Sequence, residues 1–451
     1  MFPPLPQEKA ANILKELVSL INEGKVSLEQ VSRISEERKN QPVMIGVLVC
    51  KDKNESEIAL ATNSGNAKLL KKCANLPQNL IFVPPIVSAQ KIDEALLKND
   101  KLIHELTDTI KKLKKDDQNS QTFSQIRQLN LQRKELCASS LQKVHSLYKF
   151  YCIDGSVKSL KEICLQYNKG KLPPTGTGDC CAPKLFDYAF KNNLQVLSLA
   201  EIIFSPNKFT LQAPCDTRCS IILPAMLGLR ILYQDDYICV VNKQSGVLSV
   251  PGRTEDKKDC IESRFKRLFG KKVELPQCAV HRLDMETSGI MILAFTKEAH
   301  KNLNRQFEQK QVEKEYIALL DGILAKKGIA PHGTTELFFR VDLENRPHQI
   351  WDKINGKSAI TEWQILDVER YHAPDGTTRN ATRVLFKPHT GRTHQLRLVS
   401  ADEHGFGTPI IGDSLYGVCA KGERLMLHAK KITFTHPATN KRITIECPPE
   451  F

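Results

Sequence analysis

The chain has 451 residues, 65 Lys and Arg against 51 Asp and Glu, a formal net charge of +14, and 14 cysteines. That length exceeds what one hydrophobic core usually holds, so two or three domains are expected, and the positive excess suits a polyanionic partner. No C-x-x-C occurs, the start MFPPLPQEKAAN lacks a basic stretch leading into an apolar one, and the apolar run Pro42–Cys50 is too short to cross a bilayer; the expectation is a cytoplasmic protein with reduced thiols and no membrane partner.

In chain order, residues 7–22 set Ile13, Leu14, Leu17, Val18 and Ile21 on one face, which predicts a helix closed by Gly24. The runs VMIGVLVC, EIALATNS and LIFVPPI between 42 and 86 predict strands, so residues 1–90 read as a small α/β region. Between 91 and 150, Ile103, Leu106, Ile110 and Leu113 recur at helical spacing, KKDDQNSQ at 114–121 interrupts, and Ile126, Leu129, Val144 and Leu147 resume. A helical hairpin with coiled-coil character is expected there, its many Lys and Arg readable as a solvated face or as a binding surface.

Residues 151–224 form an accessory segment and linker. Thr175–Gly178 (TGTG) precedes a helix expected near Lys184–Phe190 and has the composition of an anion cradle, yet it lacks the P-loop pattern, so nucleotide binding is not predicted. Cys180, Cys181, Cys215 and Cys219 leave zinc and buried free thiols both open; the C-x3-C spacing is loose and no His follows at finger-like distance, so no metal is assigned.

From 225 to 451 strands alternate with occasional helices. Ile231–Tyr233 and Tyr237–Asn242 flank a turn at 234–236, 260–269 reads as a helix, and Cys278–Val280 and Ile290–Phe295 read as buried strand segments. Thr296 can cap a helix with Ala299, Leu303 and Phe307 inside; Val312–Leu320 is a strand, and long strands near 357–369 and 381–387 meet across Asp375-Gly376. The predicted class is α+β: a mixed, mainly antiparallel sheet with helices packed on it, and a helix-rich N-terminal extension.

Between the segments 278–280 and 290–295 lies HRLDMETSG, at 281–289, which sets Asp284 on a polar turn projecting from an apolar frame, with short hydroxyls and a glycine after it. A lone Asp in such a turn is more often an acceptor for nearby amides, so the motif is weighed with its neighbours. HRLDMETSG resembles the catalytic motif of the RluA-type pseudouridine synthases. VNKQSGVLSVPG at 241–252 is similar to that family's first motif, VEKEYIALLDG at 312–322 to its tyrosine segment, HTGRTHQLRL at 389–398 to its third motif, and GTPIIGDSLYG at 407–417 and LMLHAKKITFTHPATNK at 425–441 to its C-terminal stretches. The resemblance covers residues 229–451, and residues 172–204 resemble a segment that precedes the synthase domain in a longer bacterial subgroup.

The resemblance implies a bisected sheet crossed by an active-site cleft, and isomerisation of uridine to pseudouridine in ribosomal or transfer RNA, at a stem-loop, by a monomer without metal or organic cofactor. Asp284 would be the catalytic carboxylate, Tyr316 would stack on the target base, and Arg397 would be the counter-ion of Asp284. Read alone, Tyr316 is more often an ordinary strand aromatic packed in the core. The target base must leave its stack, so Arg282 would fill or guard the vacated place, Thr287 and Arg392 would contact phosphate, and Lys243 and Lys314 would support RNA binding at strand ends. Two departures stand out: Gln244 replaces the usual Pro of the first motif, and Arg397-Leu398-Val399 replaces Arg-Val-His. A noncatalytic RNA-binding protein on the same fold is the alternative reading. A zinc nucleobase deaminase is excluded by the absence of P-C-x-x-C. No S4-like module is evident, so the helical hairpin and residues 172–204 are the expected accessories.

Overall fold

The structure is a computed structural model that describes residues 4–30, 43–65, 67–71, 79–115, 120–168, 170–204, 209–215 and 217–451; part of the expected hairpin interruption, 116–119, lies outside them. The chain divides into two compact units, Met1–Gly228 and Leu229–Phe451. The boundaries drawn from the sequence at 90 and 150 fall inside the first.

The first unit runs α1 (Glu8–Asn22), β1 (Val26–Gln30), β2 (Met44–Lys51), β3 (Glu57–Asn63), β4 (Ala67–Lys71), β5 (Leu80–Phe82), α2 (Ala89–Leu113), α3 (Ser120–Leu147), β6 (Lys149–Tyr151), β7 (Val157–Ser159), α4 (Leu160–Tyr167), α5 (Cys181–Lys191), β8 (Gln195–Ile203), β9 (Leu211–Gln212) and α6 (Cys219–Leu227). Its main sheet has the order β5-β3-β2-β8-β9, antiparallel except for β3 with β5. β8 pairs with β2 from Met44↔Ile203 to Lys51↔Gln195, so the helical pair α2–α3 is an excursion between strands that meet in one sheet. The apolar face of α1 expected from the spacing is used: Leu14 and Leu17 are buried against Ile45, Val47, Ala200 and Ile202. α2 and α3 are tied by Asn99, whose amide donates to Ser140 Oγ at 3.0 Å; both residues are buried, so the bond offsets the cost of placing polar groups inside. The TGTG segment is accounted for by packing, because a methyl on Gly178 (φ +103°) would lie 2.5 Å from the Tyr148 ring.

The second unit contains β10 (Ile231–Gln234), β11 (Ile238–Lys243), α7 (Ile261–Phe269), β12 (Ser288–Ala294), α8 (Lys297–Glu308), β13 (Glu313–Leu320), β14 (His332–Val341), β15 (Gln349–Trp351), β16 (Lys357–His372), β17 (Thr378–Pro388), α9 (Gln395–Ala401), β18 (Leu427–Thr435) and β19 (Arg442–Glu446). Its ten-stranded sheet has the order β10-β11-β12-β18-β13-β17-β16-β14-β15, with β19 also on β18. Thr296 caps α8 as expected, accepting from the Ala299 amide at 3.2 Å. One expectation fails: Cys278–Val280, buried at its two ends and half-buried at Ala279, is not a strand but an isolated bridge from Ala279 to Leu293, while Glu262 Oε2 takes the amides of Cys278 and Ala279 at 3.1 Å each.

The seam of this sheet positions everything that follows. β12 and β18 are parallel and joined at only two pairs, Ser288↔His428 and Gly289↔Ala429, while every other pairing in the sheet is antiparallel. Two apolar clusters lie on either side of it. One gathers Val240, Ile292, Leu303 and Phe434, the other Leu319, Val384, Phe386 and Val399. Gly289 (φ +117°) is required at the seam, since any Cβ there would overlap the backbone of Ala429.

Candidate active site

The loop 281–287 leads into β12 and is held from two sides. His281 Nε2 accepts the Ile292 amide at 3.1 Å and its ring stacks on Phe307; burial, with Lys314 nearby, pushes the imidazole down to about 3, so it stays a neutral acceptor. The first-motif segment supplies the other side. Ser249 Oγ exchanges hydrogen bonds with the backbone of Leu283, donating to its carbonyl at 2.6 Å and accepting from its amide at 2.9 Å, and Ser245 Oγ donates to Glu286 O at 2.6 Å. Lys243 is fully buried and donates to the carbonyls of Gln244, Val247 and Met285 at 3.0, 2.6 and 2.8 Å.

Lys243 therefore ties two loops together beneath Asp284, and the expectation that it touches RNA is corrected: its three donors are spent inside the protein. The contact at Gln244 is to its backbone carbonyl, which a Pro there would offer as well.

The third-motif segment forms the opposite wall. Thr390 Oγ1 donates to Gln395 Oε1 at 2.8 Å and accepts the Ile360 amide at 2.9 Å, while Gln395 Nε2 donates to Ile360 O and Thr361 Oγ1, both at 2.9 Å. This pins the start of α9 to β16. His394, just before the helix, takes a left-handed conformation (φ +55°) that turns its ring inward. Its Nδ1 meets the Tyr416 hydroxyl at 2.7 Å and its Nε2 lies 4.0 Å from Asp284 Oδ1. Burial lowers the imidazole below its ordinary value even though Asp284 pulls the other way.

Between the walls is a cavity of about 170 Å³ lined by Arg282, Asp284, Thr287, Lys314, Tyr316, Thr390, Arg392, His394 and Arg397 among others. Of the eight residues singled out in the sequence, seven meet here, drawn from β13, α9 and two loops; Lys243 lies beneath. Arg282 and Arg392 are exposed, the latter bonded through Nε to Ser358 O at 2.9 Å. Lys314 is half-buried, 3.5 Å from Thr390 O, and burial pushes it down to about 8. Tyr316 is half-buried, and burial followed by the charge of Asp284 raises its hydroxyl well above the usual range. Thr287 is buried in the cavity lining, its hydroxyl without a hydrogen-bond partner.

Arg397 also departs from expectation. Its guanidinium forks onto Asp413, Nε to Oδ2 at 2.8 Å and Nη2 to Oδ1 at 2.5 Å, and Nη2 reaches Glu286 Oε2 at 2.9 Å. Asp284 adds to its electrostatic surroundings without being one of these partners. In place of a direct Arg397–Asp284 pair the guanidinium is clamped by Asp413, which is fully buried and has no other cation in these contacts, and by the partly exposed Glu286. Asp413, Glu286, His394, Gln395 and Tyr416 were missed in the sequence reading. All five lie inside the motifs quoted above, Glu286 in HRLDMETSG, His394 and Gln395 in HTGRTHQLRL, Asp413 and Tyr416 in GTPIIGDSLYG, but nothing in spacing tells which acid the Arg would choose.

Two comparisons bear on this constellation. Residues 237–402 match the family model described as RNA pseudouridylate synthase, which makes this unit a pseudouridylate synthase domain. The dual-specificity RNA pseudouridine synthase RluA of Escherichia coli K12 is 41 % identical over 227 residues, 49 % of this chain and 94 % of the relative; the Yersinia pestis enzyme of that name is 40 % identical over 224 residues, 49 % of this chain and 99 % of the relative. The chain belongs to the RluA-type pseudouridine synthase family. Among solved structures, Human RNA Pseudouridylate Synthase Domain Containing 1 aligns at 28 % identity, covering 49 % of this chain and 84 % of that one, with a TM-score of 0.39.

Proposed function

We propose that the chain converts uridine to pseudouridine at a site in structured ribosomal or transfer RNA, with Asp284 as the catalytic carboxylate. The reaction breaks the bond from N1 to C1′, turns the base and joins C5 to C1′ without redox change, so it asks for a positioned carboxylate and room for one base. The observation that carries the reading is the single cavity onto which Asp284, Tyr316 and Lys314 open, bounded by the loop that Lys243 and Ser249 hold in place. Addition to C6 and attack at C1′ both begin from that carboxylate.

The other roles follow from position. Tyr316 stacks on the flipped base, and Thr287 offers its free hydroxyl to the base edge. Arg397, clamped by Asp413 and Glu286, is a positioning residue that fixes α9 and lends positive potential from a distance. Arg282, Arg392 and Lys314 contact the extruded nucleotide and its phosphates at the mouth. No membrane partner is included in this reading, and no described helix is long and apolar enough to cross a bilayer. The protein acts in the cytoplasm as a monomer, and the accessory unit 1–228 contributes to RNA choice.

The test is Asp284→Asn assayed by tritium release from 5-tritiated uridine in RNA. Turnover should fall at least about a thousandfold, roughly 4 kcal/mol of barrier, with RNA affinity retained. Turnover within about tenfold of the parent would remove Asp284 from the role.

A further inference from the structure

Four cysteines of the first unit fall in two pairs, 180/181 and 215/219, more than thirty residues apart, and three of them converge. The sulfurs of Cys180, Cys215 and Cys219 all lie within 4.8 Å of one another. Cys181, adjacent to Cys180, turns away: its Sγ donates to Met44 O at 3.4 Å and its Cβ packs against Gly46 on β2. Four zinc-type ligands at about 2.3 Å in a tetrahedron leave sulfurs roughly 3.8 Å apart, so the observed triangle needs to tighten by only about 1 Å.

Cys180 is the N-cap of α5 and Cys219 opens α6, so two helix starts meet at the cluster, and the Cys219 amide donates to Cys215 Sγ at 3.5 Å. A second observation points to a ligand. Glu201 on β8 is 2 % exposed and within electrostatic reach of all three thiols; its Oε1 accepts the Ala182 amide at 3.0 Å, but Oε2 has no partner. A buried, half-unsatisfied carboxylate beside three sulfurs is costly unless something positive or hydrogen-bonding occupies the space between.

We propose that Cys180, Cys215 and Cys219 bind a zinc ion, with a water in the fourth position hydrogen-bonded to Glu201 Oε2. Among the described residues, no fourth His, Cys, Asp or Glu atom shares the 4.8 Å spacing, which leaves that position to solvent. The ion joins the start of α6 to the start of α5, which packs on β2 and β8. Its role is structural, because the catalytic carboxylate proposed above belongs to the other compact unit and uridine isomerisation calls for no metal. Zinc would stabilise the fold of residues 1–228 directly, since the ligand set is assembled only on folding.

The full-length protein, purified without chelator, is analysed for metal by mass spectrometry and by zinc release to a chromogenic chelator on thiol modification. About one zinc per chain is expected. Cys215→Ser should lower it at least about fivefold, and Cys137→Ser, an exposed thiol elsewhere, should leave it unchanged. Cobalt substitution should give sulfur-to-cobalt charge-transfer bands that weaken by a third in Cys215→Ser. Should Cys215→Ser fail to fold, the parent protein decides: no metal with three freely titratable thiols, or a Cys180–Cys215 disulfide in peptide mapping, overturns the proposal. Pseudouridine formation by the parent is read separately, so failure of the metal site and failure of the catalytic reading are distinguishable.

Discussion

Burial and the neighbouring Asp284 both push the Tyr316 hydroxyl up, so at neutral pH it is a phenol that donates a proton and cannot readily accept one. Its ring is then the main asset. Tyr316→Phe should keep RNA affinity within about twofold, while Tyr316→Ala should lose about 1–3 kcal/mol of binding, the worth of one base stacked on an aromatic; filter binding to a short stem-loop checks both. Equal affinities for Phe and Ala would remove stacking from the account. Lys314 carries a pH signature. Burial lowers its ammonium to about 8, so its charge is present below that pH and is lost as pH rises through it. RNA affinity should accordingly decline between pH 7 and 8.5, and Lys314→Arg, which stays protonated, should flatten the decline. An unchanged slope in that variant would show that Lys314 does not meet phosphate.

At the scale of elements, the seam between β12 and β18 and the clamp on α9 hold the two walls apart at a fixed distance. Gly289→Ala combines an unfavourable φ with overlap onto Ala429, and should cost at least about 2 kcal/mol in urea unfolding. A neutral result would mean that the seam can spread. Arg397→Met leaves Asp413, which is fully buried, and Glu286 without their cation, so it should destabilise by roughly 3–5 kcal/mol and lower the thermal midpoint as well as activity. A double variant, Arg397→Met with Asp413→Leu, should recover much of the stability but not the rate. Recovery of both would show that the clamp serves packing alone.

For the whole molecule, the compactness of residues 229–451 predicts that this unit folds by itself and keeps a cavity able to isomerise uridine. Removal of residues 1–228 should weaken binding to the natural RNA and reduce the slope of affinity against salt, since that slope counts the phosphates neutralised. Truncated and full-length protein compared over a salt series measure this; identical slopes and identical site choice would give the first unit a task other than RNA recognition. The fold of the second unit was largely readable, because β11, β12, α8, β13, β16 and β17 each carry a local period or cap that survives folding. The first unit was less so. Its sheet closes by pairing β2 with β8 across the helical excursion, and no local pattern records which distant strand completes a sheet.

Asp284, Tyr316, Lys314 and the two mouth arginines were singled out through the family resemblance of their motifs, and the structure lines one cavity with them. The partner of Arg397 could not be named that way. Three acids, at 284, 286 and 413, were available to it; it forks onto Asp413, the one fully closed to water, where a lone charge would be most costly, and reaches Glu286 with the same Nη2. The same reasoning divides the lysines: Lys243 and Lys314 look alike in sequence, yet one is enclosed by three carbonyls and the other opens on the cavity. It also sorts the cysteines, adjacent Cys180 and Cys181 pointing to different neighbours because α5 begins between them. Residue chemistry was set by the sequence; burial and partner were set only when distant segments met, because desolvation is a property of the surroundings and not of the side chain.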